Sequence, residues 1–460
     1  MIHSPWITAC VCIIFFINSL MLVKLYPLIY GKSLMPTGSK FFILNYVAFI
    51  YIGIFLMNIL LFDRLDVAGI YSSEIKYNLL PMFMLNILCL PLFFGGAVIS
   101  NMMLNYSSTN FENKLLFNDK ITQNKFYKSS YFVIIVLFCT VIILYVFKLY
   151  LSNIDTLPVL GIFIDDANIG MLRSAATNDF EGKKYRFNMV LKSLPIYIFI
   201  LLFLIKQKNL VLTVITACCF ILCMFTAVMD GLKGPLIQLI LLLIMLVIYK
   251  NKKIPFRFIA MSILGALVSL TLMYMFFMGM KDRNILDIIM APLSRISMGS
   301  SLPLIYYLEY IPKHQYYLFG QSFPNPGGIF PFEWRRITVE LMEFAHPEIV
   351  KTGVVGSMPT VFFGEFYLNF GYLGAAFSMI ILGFILKTID STFNLLISKS
   401  NLYLPILALF FVYIDIAGTF SRASFLGLFT DINLFVLSIV SLMLIIINSI
   451  FTKQGGKDAS

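Results

Sequence analysis

Few residues in this chain are equipped for chemistry, and they are widely spaced. Glu365 stands at the start of an apolar run, Gly364-Glu365-Phe366-Tyr367-Leu368-Asn369-Phe370-Gly371-Tyr372-Leu373-Gly374. Helical spacing places Glu365, Asn369 and Tyr372 on one face. An ionisable group in an apolar span is costly and faces a cavity or a partner. Burial raises a carboxylate's pKa, which suits a general base; the alternative is a Glu paired with an Arg for structure. The candidate cations are Arg173 and Arg186, Lys233, Arg283 and Arg295, Arg335-Arg336 and Arg422. An Arg fork matches phosphate geometry. Lys233 lies in the turn Asp230-Gly231-Leu232-Lys233-Gly234-Pro235, where a helix start at Pro235 adds a positive dipole end. Each has a plainer reading: a solvated loop, a lysine reaching to water, or an interfacial anchor beside Trp334. Arg422 sits in a short apolar connection, as a partner for Asp415 or Glu365. His314 and His346 are acid or base candidates, or ordinary loop histidines.

These residues must be positioned by a chain that is 60% hydrophobic and only 12% charged. Its apolar runs are long enough to cross a ~30 Å hydrocarbon core. They are continuous and do not alternate, which excludes a β-barrel. The expected fold is an all-α polytopic integral membrane protein, a single membrane domain over 1–460. Eleven spans are expected, near 6–23, 41–62, 79–100, 131–147, 191–205, 210–229, 235–249, 258–277, 361–386, 402–416 and 432–451.

No Lys or Arg precedes the first span, and Lys24, Lys32 and Lys40 follow it, so the N-terminus is expected outside and the C-terminus in the cytoplasm. The inner loops then hold 17 Lys/Arg against 4 Asp/Glu, and the outer side 17 against 19. The net charge of +11 is therefore read as topology and not as a nucleic-acid surface.

Two outer loops carry most of the candidates. Loop 148–190 holds Asp155, Asp165-Asp166, Arg173 and Arg186. A polar lobe, Met278–Thr360, lies between the eighth and ninth spans and holds Arg283 and Arg295. Within it Gln321–Gly328 reads as a turn-rich hinge. Trp334, Ile337, Leu341 and Phe344 recur at helical spacing, which predicts a short amphipathic helix on the membrane surface. All seven cysteines fall in expected spans, so neither a disulfide framework nor a metal site is expected. There is no P-loop, zincin or nucleophile-elbow motif, and no D-x-D pair. No cofactor and no metal are expected.

Cations on the outer side, a carboxylate at a helix end and a covering lobe fit attack by a sugar hydroxyl on a lipid-diphosphate-linked glycan. The cations would stabilise the departing diphosphate and the carboxylate would take the proton.

The hydrophobic layout, the two outer loops flanking a central helix block, the Gly231–Pro235 hairpin and the motif running from Gly364-Glu365 through Asn369-Phe370-Gly371 to Gly374 together resemble the Wzy family. These are O-antigen or capsular repeat-unit polymerases. The resemblance implies a GT-C-like membrane fold acting on undecaprenyl-diphosphate-linked oligosaccharide at the outer face of a bacterial inner membrane. It also implies arginine-dependent catalysis in the two large loops. On that basis Glu365, Arg295 and Arg173 are the expected catalytic residues. Lys233, Arg283, Arg335, Arg336, His346, Asn369, Tyr372 and Arg422 are the expected substrate contacts. Some members carry an Arg…Gly spacing that Arg283 and Gly299 reproduce and that Arg173 and Arg295 do not. Besides membrane lipids, a chain-length regulator and a flippase are the expected partners. Two other readings stay open: an O-antigen ligase using His314 or His346, and a lipid-glycan flippase or secondary transporter.

Overall fold

A computed structural model describes residues 5–31, 36–61, 77–104, 125–153, 157–163, 172, 187–205, 210–230, 233–251, 256–277, 288, 299–323, 325, 328–351, 356–399, 403–419 and 432–457. Among them there are helices and no strand. In chain order they are α1 (Pro5–Tyr30), α2 (Gly38–Ile59), α3 (Leu79–Met103), α4 (Ser130–Leu151), α5 (Met189–Leu204), α6 (Leu210–Val228), α7 (Lys233–Asn251) and α8 (Phe256–Phe277). The lobe contributes α9 (Pro303–Lys313), α10 (Ile337–Ala345) and α11 (Pro347–Lys351), and the chain ends with α12 (Phe362–Lys399), α13 (Tyr403–Thr419) and α14 (Ile432–Lys457). Among the described residues seven helices are long and apolar enough to cross a membrane, and four shorter apolar helices fall in the remaining expected spans. The chain is an all-α polytopic membrane protein.

The centre of the bundle is the pair α3 and α12, which make the most extensive helix contact. They run parallel, both leaving the lobe end, as spans an even number of crossings apart must. Two glycines bring their backbones together. A Cβ on Gly96 would lie 1.9 Å from the Ile380 carbonyl oxygen, and one on Gly383 would lie 2.0 Å from that of Phe93. Small residues of this kind allow helices to gain van der Waals contact where hydrophobic burial gives no preference for protein over lipid. One turn on, the Ser100 and Thr388 hydroxyls hydrogen-bond at 2.9 Å. Gly371 and Gly374 meet other neighbours: a Cβ on Gly371 would lie 3.1 Å from the Tyr317 hydroxyl of the lobe, and one on Gly374 would lie 2.8 Å from the Phe366 carbonyl oxygen.

Helix α12 departs from the expected span 361–386 at both ends. It continues to Lys399, so Lys387 and Asp390 are buried in the bundle and do not lie in an inner loop. Asp390 caps the start of α2: its Oδ1 accepts from the Gly38 N–H at 2.8 Å, and its Oδ2 from the Ser39 N–H at 3.0 Å and from the Ser39 hydroxyl. A carboxylate there satisfies orphan donors and meets the positive end of the helix dipole. Lys387 Nζ lies 4.9 Å from the centroid of the Tyr30 ring, at the end of α1. One turn of α12 thus holds both ends of the α1–α2 connection.

Near its start α12 is broken. Gly371 has φ 67° and ψ −158°, outside helical space and accessible essentially to glycine alone. Residues 362–370 form a separate short helix beneath the lobe, and 372–399 form the long one.

Candidate functional site

The break at Gly371 strips the preceding turn of its next hydrogen-bond donors, and the lobe supplies replacements. The Leu318 N–H donates to the Leu368 carbonyl at 3.0 Å and the Phe319 N–H to the Asn369 carbonyl at 3.2 Å. Asn369, fully buried, accepts from the Gly320 N–H at 2.7 Å through Oδ1. Its Nδ2 donates to the Glu365 carbonyl at 2.8 Å and to the Ser322 hydroxyl at 2.7 Å. Ser322 Oγ in turn donates to Glu365 Oε1 at 3.1 Å. A partly buried carboxylate therefore sits where the lobe meets the membrane helices, with a hydroxyl on one of its oxygens.

Aromatic groups close the seam. The Trp334 indole N–H donates to the Ser322 carbonyl at 3.3 Å, and the Tyr367 hydroxyl to the Ile311 carbonyl at 3.1 Å. Tyr307, on α9, donates to the Met358 carbonyl at 3.1 Å. Burial first, and then the charge of Glu365, push the Tyr307 hydroxyl far above its ordinary pKa, so it stays a neutral donor.

The expected face of Glu365, Asn369 and Tyr372 is only half present. Glu365 and Asn369 share it. Tyr372 lies beyond the break, where it packs edge-on against Tyr367 at 5.0 Å and lines an apolar cavity of about 300 Å³ with Met84, Leu88 and Ala376. Through its three hydrogen bonds the Asn369 amide braces the lobe loop against α12.

The arginines divide. Arg173, Arg186, Arg283, Arg295 and Arg422 lie outside the described residues. Arg335 is forked onto Glu340, with Nε 3.2 Å from Oε1 and Nη2 on Oε2, and that partner holds its guanidinium above its ordinary value. Arg336 is exposed, 5.7 Å from the Trp334 ring centroid.

The amphipathic helix expected at Trp334–Phe344 starts later, at Ile337, because Arg336 has a non-helical backbone. It also buries Ile337 and Leu341 inside the lobe, so its apolar face does not lie on a membrane. His346 ends that helix, its ring 5.8 Å from Tyr306, and desolvation lowers its pKa.

In the 230–235 hairpin the helix starts at Lys233, whose side chain lies outside the described residues. Asp230 accepts from the Tyr150 hydroxyl at 2.9 Å and from Lys192 Nζ at 2.6 Å.

Two groups went unnoticed in the sequence. Ser322 was one polar letter in a turn-rich stretch. Glu309, on α9, was one acid in a polar lobe. Its Oε2 accepts from the Asn78 side chain at 3.0 Å, from Lys313 Nζ at 2.9 Å and from the Tyr77 hydroxyl, and its Oε1 lies 3.9 Å from His314 Nε2. The His314 ring is held against Phe344, 5.0 Å between centroids. Only the i, i+4 pair Glu309/Lys313 and its neighbour His314 hinted at this cluster. No family model matches the chain, and no curated protein or solved structure matches it.

Proposed function

We propose that this protein is a bacterial inner-membrane glycan polymerase, a metal-independent glycosyltransferase with a GT-C-like layout. It transfers undecaprenyl-diphosphate-linked glycan onto another lipid-linked repeat unit. The observation that carries the reading is the Glu365 carboxylate, seated at the junction of the lobe and the membrane helices with Ser322 on Oε1. A carboxylate so placed can take the proton of an acceptor hydroxyl while the lipid tail of the donor stays among the helices. The lobe then faces the outer side, as the excess of Lys and Arg in the opposite loops supports. Arg173, Arg283, Arg295 and Arg422, with Lys233, are the cations proposed for the departing diphosphate.

The test is the surface glycan of a deletion strain complemented with variants and run on a gel. Glu365→Gln and Arg295→Ala should each abolish long chains and leave single repeat units on the lipid core. Normal ladders from both would remove these residues from the site. The Glu309–His314 juxtaposition favours a second reading, a ligase in which His314 is the base. In that case His314→Ala would remove single-repeat and long forms together.

A further inference from the structure

The lobe carries an apolar rim that its own packing leaves bare. Tyr316, Phe319 and Ile329 are 86%, 71% and 77% exposed, and Trp334 is 50% exposed. Phe319 has φ 47°, the single positive value at a non-glycine among the described residues. A bulky side chain in the left-handed region is strained, and here no burial compensates for it. Exposed aromatic surface of this extent on a protein marks a contact surface.

The rim continues the exposed apolar face of α12. Phe319 hydrogen-bonds to the Asn369 carbonyl at the head of α12, and the Phe323 ring lies 5.1 Å from that of Phe366 and 6.3 Å from that of Phe370. Directly below, Phe370, Leu373 and Phe377 are exposed on α12. The charges beside the rim, Glu333 and Arg336, are exposed, and Arg336 stacks over Trp334. Trp and Arg at one level are suited to the headgroup region, with the ring among the lipids and the cation at phosphate.

Sugar stacking would also use aromatic faces, but the continuity of the rim with the exposed apolar residues of α12 favours lipid. Within the rim the Asn325 amide is spent on the loop itself: Nδ2 donates to the Phe330 and Phe332 carbonyls at 3.0 and 2.7 Å, and Oδ1 accepts from the Phe330 N–H at 3.0 Å. We infer that the rim at 316–334 docks on the bilayer interface, with Phe319, Ile329 and Trp334 among the headgroups and Arg336 on lipid phosphate. This would hold the lobe down over Glu365 and does not depend on which reaction occurs there.

The chain has two tryptophans, Trp6 and Trp334, so Trp6→Phe leaves Trp334 as the sole reporter. Its fluorescence would be read in full-length protein reconstituted into phosphatidylethanolamine/phosphatidylglycerol vesicles. Lipids brominated near the headgroup should quench strongly, lipids brominated at the chain ends weakly, and aqueous iodide weakly. Adding Phe319→Ser and Ile329→Ser should raise iodide quenching by about twofold or more as the anchor weakens. If that variant does not fold, the comparison of lipid and iodide quenching in the parent decides alone. Full iodide quenching without bromolipid quenching would overturn the proposal. So would shielding from iodide by a free oligosaccharide in the absence of bromolipid quenching, which would make the rim a glycan surface.

Discussion

Gly95 and Gly96 are adjacent on α3, and replacing each by alanine should change stability in opposite directions. A Cβ on Gly95 meets nothing within 4 Å. Its replacement removes backbone freedom from the unfolded chain and should be neutral or stabilising by about 0.5–1 kcal/mol. A Cβ on Gly96 would sit 1.9 Å from the Ile380 carbonyl oxygen and 2.8 Å from the Phe384 nitrogen, both backbone atoms of α12. No rotamer change relieves that overlap, so the helices must part by more than ~1 Å. Overpacking of this kind costs about 1–3 kcal/mol. The separation would also stretch the Ser100–Thr388 hydrogen bond, 2.9 Å in the native bundle. Its loss adds ~0.6 kcal/mol, the average for an interhelical bond in a membrane. A total near 2–3 kcal/mol outweighs the entropic gain and lowers the folded-to-unfolded ratio by roughly 30- to 140-fold. Gly383→Ala makes the reciprocal clash, 2.0 Å from the Phe93 carbonyl oxygen, and should match Gly96→Ala. The assay is the temperature at which half of the detergent-solubilised protein is lost from the monodisperse size-exclusion peak. Gly95→Ala should hold or raise it, and Gly96→Ala and Gly383→Ala should lower it together. A Gly96→Ala protein as stable as Gly95→Ala would refute the close α3–α12 crossing.

Gly371→Ala must adopt a backbone that costs about 1–3 kcal/mol for a residue with a Cβ. That Cβ would stand 3.1 Å from the Tyr317 hydroxyl; the seam between lobe and α12 should loosen, read as faster proteolysis of the lobe at unchanged membrane insertion. Asp390→Asn turns one carboxylate oxygen of the α2 cap into a donor facing donors, and should destabilise by ~1–3 kcal/mol in a thermal melt. Ser391→Ala is its control: that buried hydroxyl has no hydrogen-bond partner among the described residues, and its loss should cost far less. His346 is held below the ordinary 6.5 by desolvation, so the unfolded chain binds its proton first as pH falls. Its contribution is therefore present above pH 6.5 and is lost as pH falls through the lower folded value. Lobe proteolysis should accelerate over that range, and His346→Phe should flatten the dependence.

The site was partly legible in the sequence. Glu365 stood out because a charge in an apolar run is rare and costly, and its i+4 relation to Asn369 is local. The i+7 relation to Tyr372 failed because it assumed unbroken helix, and glycine is permissive without announcing which conformation it takes. Ser322 and Glu309 were invisible because their partners, Glu365 in one case and Tyr77 and Asn78 in the other, lie far away in sequence. The Trp334–Phe344 pattern was amphipathic as read, but amphipathicity does not say whether the apolar face meets lipid or protein; Ile337 and Leu341 meet the lobe interior.

By itself the sequence determined that this is a bundle of apolar helices and the approximate place of each apolar segment, though not the ends of α12. These follow from run length and composition, since unsatisfied backbone is not tolerated in hydrocarbon and only helices fit the pattern. The tertiary structure decided which glycines touch a neighbouring backbone, that Lys387 and Asp390 lie inside the bundle, and that a break at Gly371 lets the lobe loop cap a short helix and seat Ser322 on Glu365. Each of these depends on a partner contributed by a distant segment, and no local pattern encodes such a partner.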